Sequence, residues 1–179
     1  MGLLRFNTAA APSAEAALLA CCGSRRWAER LAAHRPYPTR EALLAAADEA
    51  CYDLAGADLD EALADEDPVP LAPDAPGTAH TALRAAHTAY ESGFGHPFVI
   101  CLDGARPDER TDEVLAAIRT RLGNEPDEER AVSAEELRRL ARGRLARLIG
   151  GGHPRGTDEP SWNARSGDSA HPDSPSVPV

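Results

Sequence analysis

One short run, Phe98-Val-Ile-Cys-Leu102 within FVICLDG, is the only β-like stretch in this 179-residue chain. A solitary strand of that length has nothing to pair with and cannot define a sheet. Elsewhere the apolar residues recur at helical spacing. Ala, Leu, Glu and Arg dominate and aromatics are only 4%, which favours helix and argues against a β-sandwich or a wide parallel sheet. The expected fold class is all-α: a single compact multi-helix domain.

The predicted helices follow from caps and breakers. Ser13 can cap a short helix to Cys22, and Ser24 the next, which stops before Pro36. Thr39 can cap a third, carrying Leu43, Leu44, Ala47, Ala50, Cys51 and Leu54. Asp58 can cap a short one through Leu63, and residues 65–77 form a Pro-rich loop. Thr78 starts a fifth helix ending near Phe94, and Thr111 caps a sixth. Pro126 and the acidic residues after it open a last long helix to about Ile149. From Gly150 onward Gly, Pro, Ser and Asp dominate without periodicity, so residues 150–179 are expected to be a disordered tail and residues 1–149 the domain.

Charge narrows the partners. The formal net charge is −10, and all 19 basic residues are Arg. That balance disfavours nucleic-acid binding and docking on anionic membranes. No apolar run approaches the ~20 residues of a membrane span. The N-terminal apolar stretch is interrupted by Asn7, Thr8, Pro12, Ser13 and Glu15, and reads as part of the fold rather than a signal peptide. The four cysteines, Cys21, Cys22, Cys51 and Cys101, form no C-x-x-C, which suits neither zinc nor a disulfide framework. Free thiols in a reducing cytoplasm are the simpler expectation, with no metal.

Two helix faces carry polar residues where apolar ones are expected. In the last helix Leu137, Leu140, Ala141, Leu145 and Leu148 share a face, and Arg144 falls within that stripe. A guanidinium there needs an acceptor: either an internal Asp or Glu, or an anionic ligand, whose carboxylate its planar fork suits. In the fifth helix His80 and His87 lie in the arc of Leu83, Ala86, Tyr90 and Phe94. They are either satisfied core residues or acid/base groups. Two turns apart, ~10 Å, they do not suit one metal ion without other ligands.

Four segments, in order, resemble the 2-oxo-4-hydroxy-4-carboxy-5-ureidoimidazoline (OHCU) decarboxylases of urate breakdown. They are CCGSRRWAERLAAHRPYPTREALLAAADEA at residues 21–50, YESGFGHPFVIC from Tyr90, RTRLGNEPDEE from Arg119, and ELRRLARGRL from Glu136. The resemblance implies an all-helical domain of the OHCU decarboxylase type, commonly a homodimer, that binds a small ureide and needs no cofactor. The carbon bearing the substrate carboxylate adjoins a C=N bond, which can accept the electron pair as CO2 leaves. An acid must then protonate one face of the resulting carbon, giving (S)-allantoin. The resemblance assigns substrate contacts to Phe98, Val99, Ile100, Cys101, Leu102 and Arg144.

The chain departs from the family pattern at the proton-handling positions. The family's His-Pro pair reads Asp67-Pro68 here, its Glu-Gln pair is absent, and its helix Asn is His87. Asp67, His87 and His80 are therefore the candidate catalytic replacements. The alternatives are an inactive paralogue that binds a ureide or small carboxylate, a helical partner in purine catabolism, or an all-α scaffold without a ligand.

Overall fold

The computed structural model describes residues 1–69, 76–104, 106 and 109–150. Eight helices appear among them, and no strand. They are α1 (Leu3–Thr8), α2 (Ala11–Leu19), α3 (Arg25–Ala33), α4 (Arg40–Tyr52), α5 (Gly56–Ala64), α6 (Gly77–Phe94), α7 (Arg110–Arg121) and α8 (Pro126–Ile149). Phe98–Leu102 joins no helix or strand among the described residues, in keeping with a lone β-like segment that has no strand to pair with. Residues 70–75 of the Pro-rich loop and 151–179 of the expected tail lie outside the described residues.

Caps explain several boundaries. Ser24 accepts a hydrogen bond from the Trp27 N–H, and Thr39 from the Ala42 N–H. Pro126 opens α8, with Asp127, Glu128 and Glu129 in its first turn. Gly95 closes α6 at φ 77°, a conformation that favours glycine. Three expected caps differ. Ser13 lies inside α2, which starts earlier with a Pro in its first turn. Asp58 sits in the first turn of α5 and accepts from the Ala55 N–H. Thr111 lies within α7. The apolar N-terminal stretch forms α1 and α2, which bury Phe6, Ala14 and Leu18.

The main core gathers Phe6, Leu18, Trp27, Leu31, Leu43 and Leu63 around the Leu137–Ala141–Leu145–Ile149 spine of α8. A smaller core joins α6, α7 and the extended segment through Leu83, Tyr90, Phe98, Val114 and Ile118. The α8 spine advances four residues at a time from Glu129 through Ser133. Arg144 is therefore on its flank, beside the half-buried Leu140 and Leu148, rather than in its centre. None of the described helices is long and apolar enough to cross a membrane.

Candidate active site

A cleft of about 350 Å³ opens where the segment after α5, the extended segment after α6 and the flank of α8 meet. Glu66, Asp67, Pro68 and Val69 form one wall; Val99, Ile100, Leu102 and Asp103 form another. Leu140 and Arg144 come from α8, and Arg110 from the start of α7. The extended segment leaves the helical hydrogen-bond ladder at Gly95, so its peptide groups need other partners. Val99 C=O accepts from Arg121 Nη1 at 2.6 Å, and the Cys101 N–H donates to Glu136 Oε2 at 2.7 Å. Neither the N–H nor the C=O of Ile100 is engaged by another described residue.

Arg144 has an internal acceptor. Its Nη1 and Nη2 donate to Glu66 Oε1 and Oε2 at 2.6 and 2.7 Å, and Nη1 also reaches the Cys21 carbonyl at 3.3 Å. The Glu66 side chain is only 5% exposed, that of Arg144 33%. The bidentate bonds from Glu66 raise the Arg144 pKa and keep the guanidinium charged. Its Nε–H and the outer Nη2–H remain unbonded among the described residues.

The cleft thus brings together Asp67, Val99, Ile100, Leu102 and Arg144. Phe98 is fully buried beneath it, edge-on to Tyr90 at 5.0 Å between ring centres. Cys101 turns out of the cleft lining, and burial raises its thiol pKa. His80 and His87 line a neighbouring hollow of about 370 Å³ with Arg84, Thr88 and Glu91, separated from the cleft at Pro68. His87 is 7% exposed, and both ring nitrogens are buried without a hydrogen bond among the described residues. Burial lowers its pKa, which Glu91 and the nearby Val69 backbone only partly offset. Among the described residues no group of three His, Cys, Asp or Glu side chains is placed to hold a metal ion.

Sequence reasoning did not single out Glu66, Asp103 or Arg110. The position of Arg144 beside an apolar stripe calls for an acceptor without identifying it, and Glu66 is 78 residues away.

Fold and cleft define a class: an all-α domain whose cleft lies between one extended segment and the flank of its longest helix. The profile of the family described as OHCU decarboxylase matches residues 7–69 and 70–146, and the chain belongs to that family. The 2-oxo-4-hydroxy-4-carboxy-5-ureidoimidazoline decarboxylase of Amia calva is 37% identical over 67 residues, 37% of this chain and 36% of that protein. That match spans little more than a third of the relative's length. Two solved structures share the fold. The crystal structure of OHCU decarboxylase in the presence of (S)-allantoin has a TM-score of 0.64 at 24% identity, covering 74% of this chain and 96% of that one. The crystal structure of (S)-allantoin synthase has a TM-score of 0.68 at 19% identity, covering 83% and 54%.

Proposed function

We propose that this chain is a carboxy-lyase that converts OHCU to (S)-allantoin at the cleft, without a cofactor. The observation that carries the reading is the meeting of Arg144, the open Ile100 peptide and Asp67 around one cleft of small-ligand size. In this reading the Ile100 N–H and the spare edge of Arg144 hold the ureide carbonyls. The C–C bond to the carboxylate breaks, CO2 leaves, and its electron pair passes toward the adjacent C=N bond. Asp67 stands exposed at the cleft wall, where it can relay a solvent proton to one face of the resulting carbon. His87 and His80 are second in line, since Pro68 separates their hollow from the cleft. The domain we assign to this work is residues 1–149, as a homodimer in the cytoplasm.

A second reading is favoured by one contact: Glu66 already occupies the fork of Arg144. The cleft then binds a small ureide without turning it over. The two are separated by generating OHCU in situ from urate with urate oxidase and hydroxyisourate hydrolase, and following allantoin by circular dichroism. Fast, single-handed (S)-allantoin, lost in Asp67→Asn, supports the enzyme. Slow racemic product, the same as without protein, supports the binding module. Under either reading Arg144→Ala abolishes the thermal shift with allantoin, about 2.7 kcal/mol at a hundred times Kd. Arg147→Ala, whose exposed side chain meets Asp103 at 3.6 Å, leaves it intact. Equal responses from the two variants would remove Arg144 from the site.

A further inference from the structure

We infer that Glu66 sets the charge preference of the cleft, so that it holds an uncharged ureide more tightly than a carboxylated one. The inference rests on the cleft being a ureide site, and goes beyond it by naming the residue that selects among ureides. An arginine fork facing a cleft ordinarily marks a carboxylate subsite. Here the fork is filled from within. Both Glu66 oxygens lie on the two terminal nitrogens at 2.6 and 2.7 Å, and the Glu66 side chain is 95% buried, given its exposure of 5%. An incoming carboxylate would have to displace an ion pair already desolvated on one side, or bind beside it.

Binding beside it is unfavourable for an anion. The described cleft lining carries three carboxylates, Glu66, Asp67 and Asp103, against two guanidiniums, Arg110 and Arg144. A second carboxylate placed near Glu66 meets a like charge in a partly dry site, where such repulsion is strong. A neutral carbonyl has no such penalty. It can accept from the Arg144 Nε–H and outer Nη2–H, the two donors that Glu66 and Cys21 leave open. Asp67 and Asp103 are exposed and hydrated, so their repulsion is screened more than that of buried Glu66. Glu66 is therefore the residue whose removal should change the selectivity. For a decarboxylation the consequence is a loosely held substrate and a firmly held product.

The test measures binding of two ureides by calorimetry to the full chain: allantoin, which is neutral, and allantoate, which carries a carboxylate. The wild type is expected to bind allantoin at least about tenfold more tightly, the size of one like-charge contact at moderate dielectric. Glu66→Gln keeps the shape and removes the charge, and should shift the ratio toward allantoate by roughly the same factor. Glu61→Gln makes the same charge change at the exposed pair with Arg25 and should leave the ratio unchanged. A wild type that binds allantoate as tightly as allantoin, or a ratio that Glu66→Gln does not move, overturns the inference while leaving the ureide site standing. Binding of neither ligand overturns the site reading and the inference together. Should Glu66→Gln fail to fold, the wild type alone decides. Raising salt from about 20 to about 300 mM shortens the screening length severalfold, so allantoate binding should tighten and allantoin binding hold constant. Weakening of allantoate binding over that range would overturn the inference.

Discussion

Among the described residues, two arginine–glutamate pairs tie α8 to the rest of the molecule, and they are built differently. In the first, Arg121 of α7 meets Glu129 of α8, with side-chain exposures of 8% and 0%. Its donors are spent on Glu129 at 2.5 and 2.8 Å, on the Val99 carbonyl at 2.6 Å and on Ser133 Oγ at 2.9 Å. Glu129 also accepts from Tyr90 and, at 2.8 Å, from Asn124. The guanidinium lies 4.5 Å from the centre of the Phe98 ring. In the second pair, Arg144 is a third exposed and keeps two donors in reserve. In the first pair every guanidinium nitrogen has an acceptor, and Nη1 holds the Val99 carbonyl of the segment after α6. The second is open on the side where a ligand can arrive. A charge pair can therefore be a strut or a recognition element; every nitrogen of Arg121 has an acceptor, whereas Nε of Arg144 has none among the described residues.

Breaking the strut should have the largest effect. Arg121→Met leaves Glu129 fully buried without its cation, and removing one partner of a buried pair typically costs about 3–5 kcal/mol. Urea denaturation should show that loss, whereas Arg144→Met, which removes a side chain already a third exposed at the cleft, should lose less. Equal losses would mean that the two pairs do not differ in kind.

A smaller effect is expected at Tyr90, the phenol that donates to Glu129. Burial and then the bond to Glu129 push its pKa up to about 12. The folded state therefore holds this proton more tightly than the unfolded chain, whose tyrosine titrates near ~10. The stability this contributes is fully present below about pH 10 and is lost as pH rises through about 12. Tyr90→Phe should flatten that alkaline limb in denaturation curves and cost about 1–3 kcal/mol at neutral pH. A limb of unchanged slope would place the titration elsewhere.

The two pairs also differ in how legible they were. The family-like segment RTRLGNEPDEE contains both Arg121 and Glu129, eight residues apart, and a local signal existed. Glu129 stands on the four-residue spine of α8 that continues through Ser133 and Leu137, so a charge on a buried face asked for a partner nearby. Arg144 gave the same kind of signal, but Glu66 lies in the Pro-rich loop just after a short helix, where no periodicity ties a residue to a face. Caps were legible where a side chain supplies the acceptor, as at Ser24 and Thr39. They were not where α2 and α7 begin without a side-chain cap. Six-residue α1 has no cap bond and little periodicity to read; burial of Phe6 is what fixes it.

The smallest stability effect is expected at His87, which sits edge-on to Phe98 at 6.0 Å between ring centres and lines the hollow behind Pro68. It is the counterexample to both pairs: a buried polar ring whose nitrogens make no hydrogen bond among the described residues, with only the Val69 backbone and Glu91 near it. Burial lowers its pKa, so the fold holds the neutral ring while the unfolded chain takes up a proton below ~6.5. The sign follows. Stability is present above that pH and is lost as pH falls through the lowered folded value. An apolar residue of similar size relieves the desolvation cost of the unbonded ring but gives up its edge-on contact with Phe98, and the two changes oppose each other. His87→Leu should therefore change stability by less than about 1 kcal/mol at pH 8 and reduce the slope of stability against pH below about 6.5. If it destabilises at pH 8 by as much as Tyr90→Phe, the ring has a partner and belongs with the struts. If stability is unmoved but allantoin formation stops, His87 replaces Asp67 as the proton-handling residue, and the working site extends beneath Pro68.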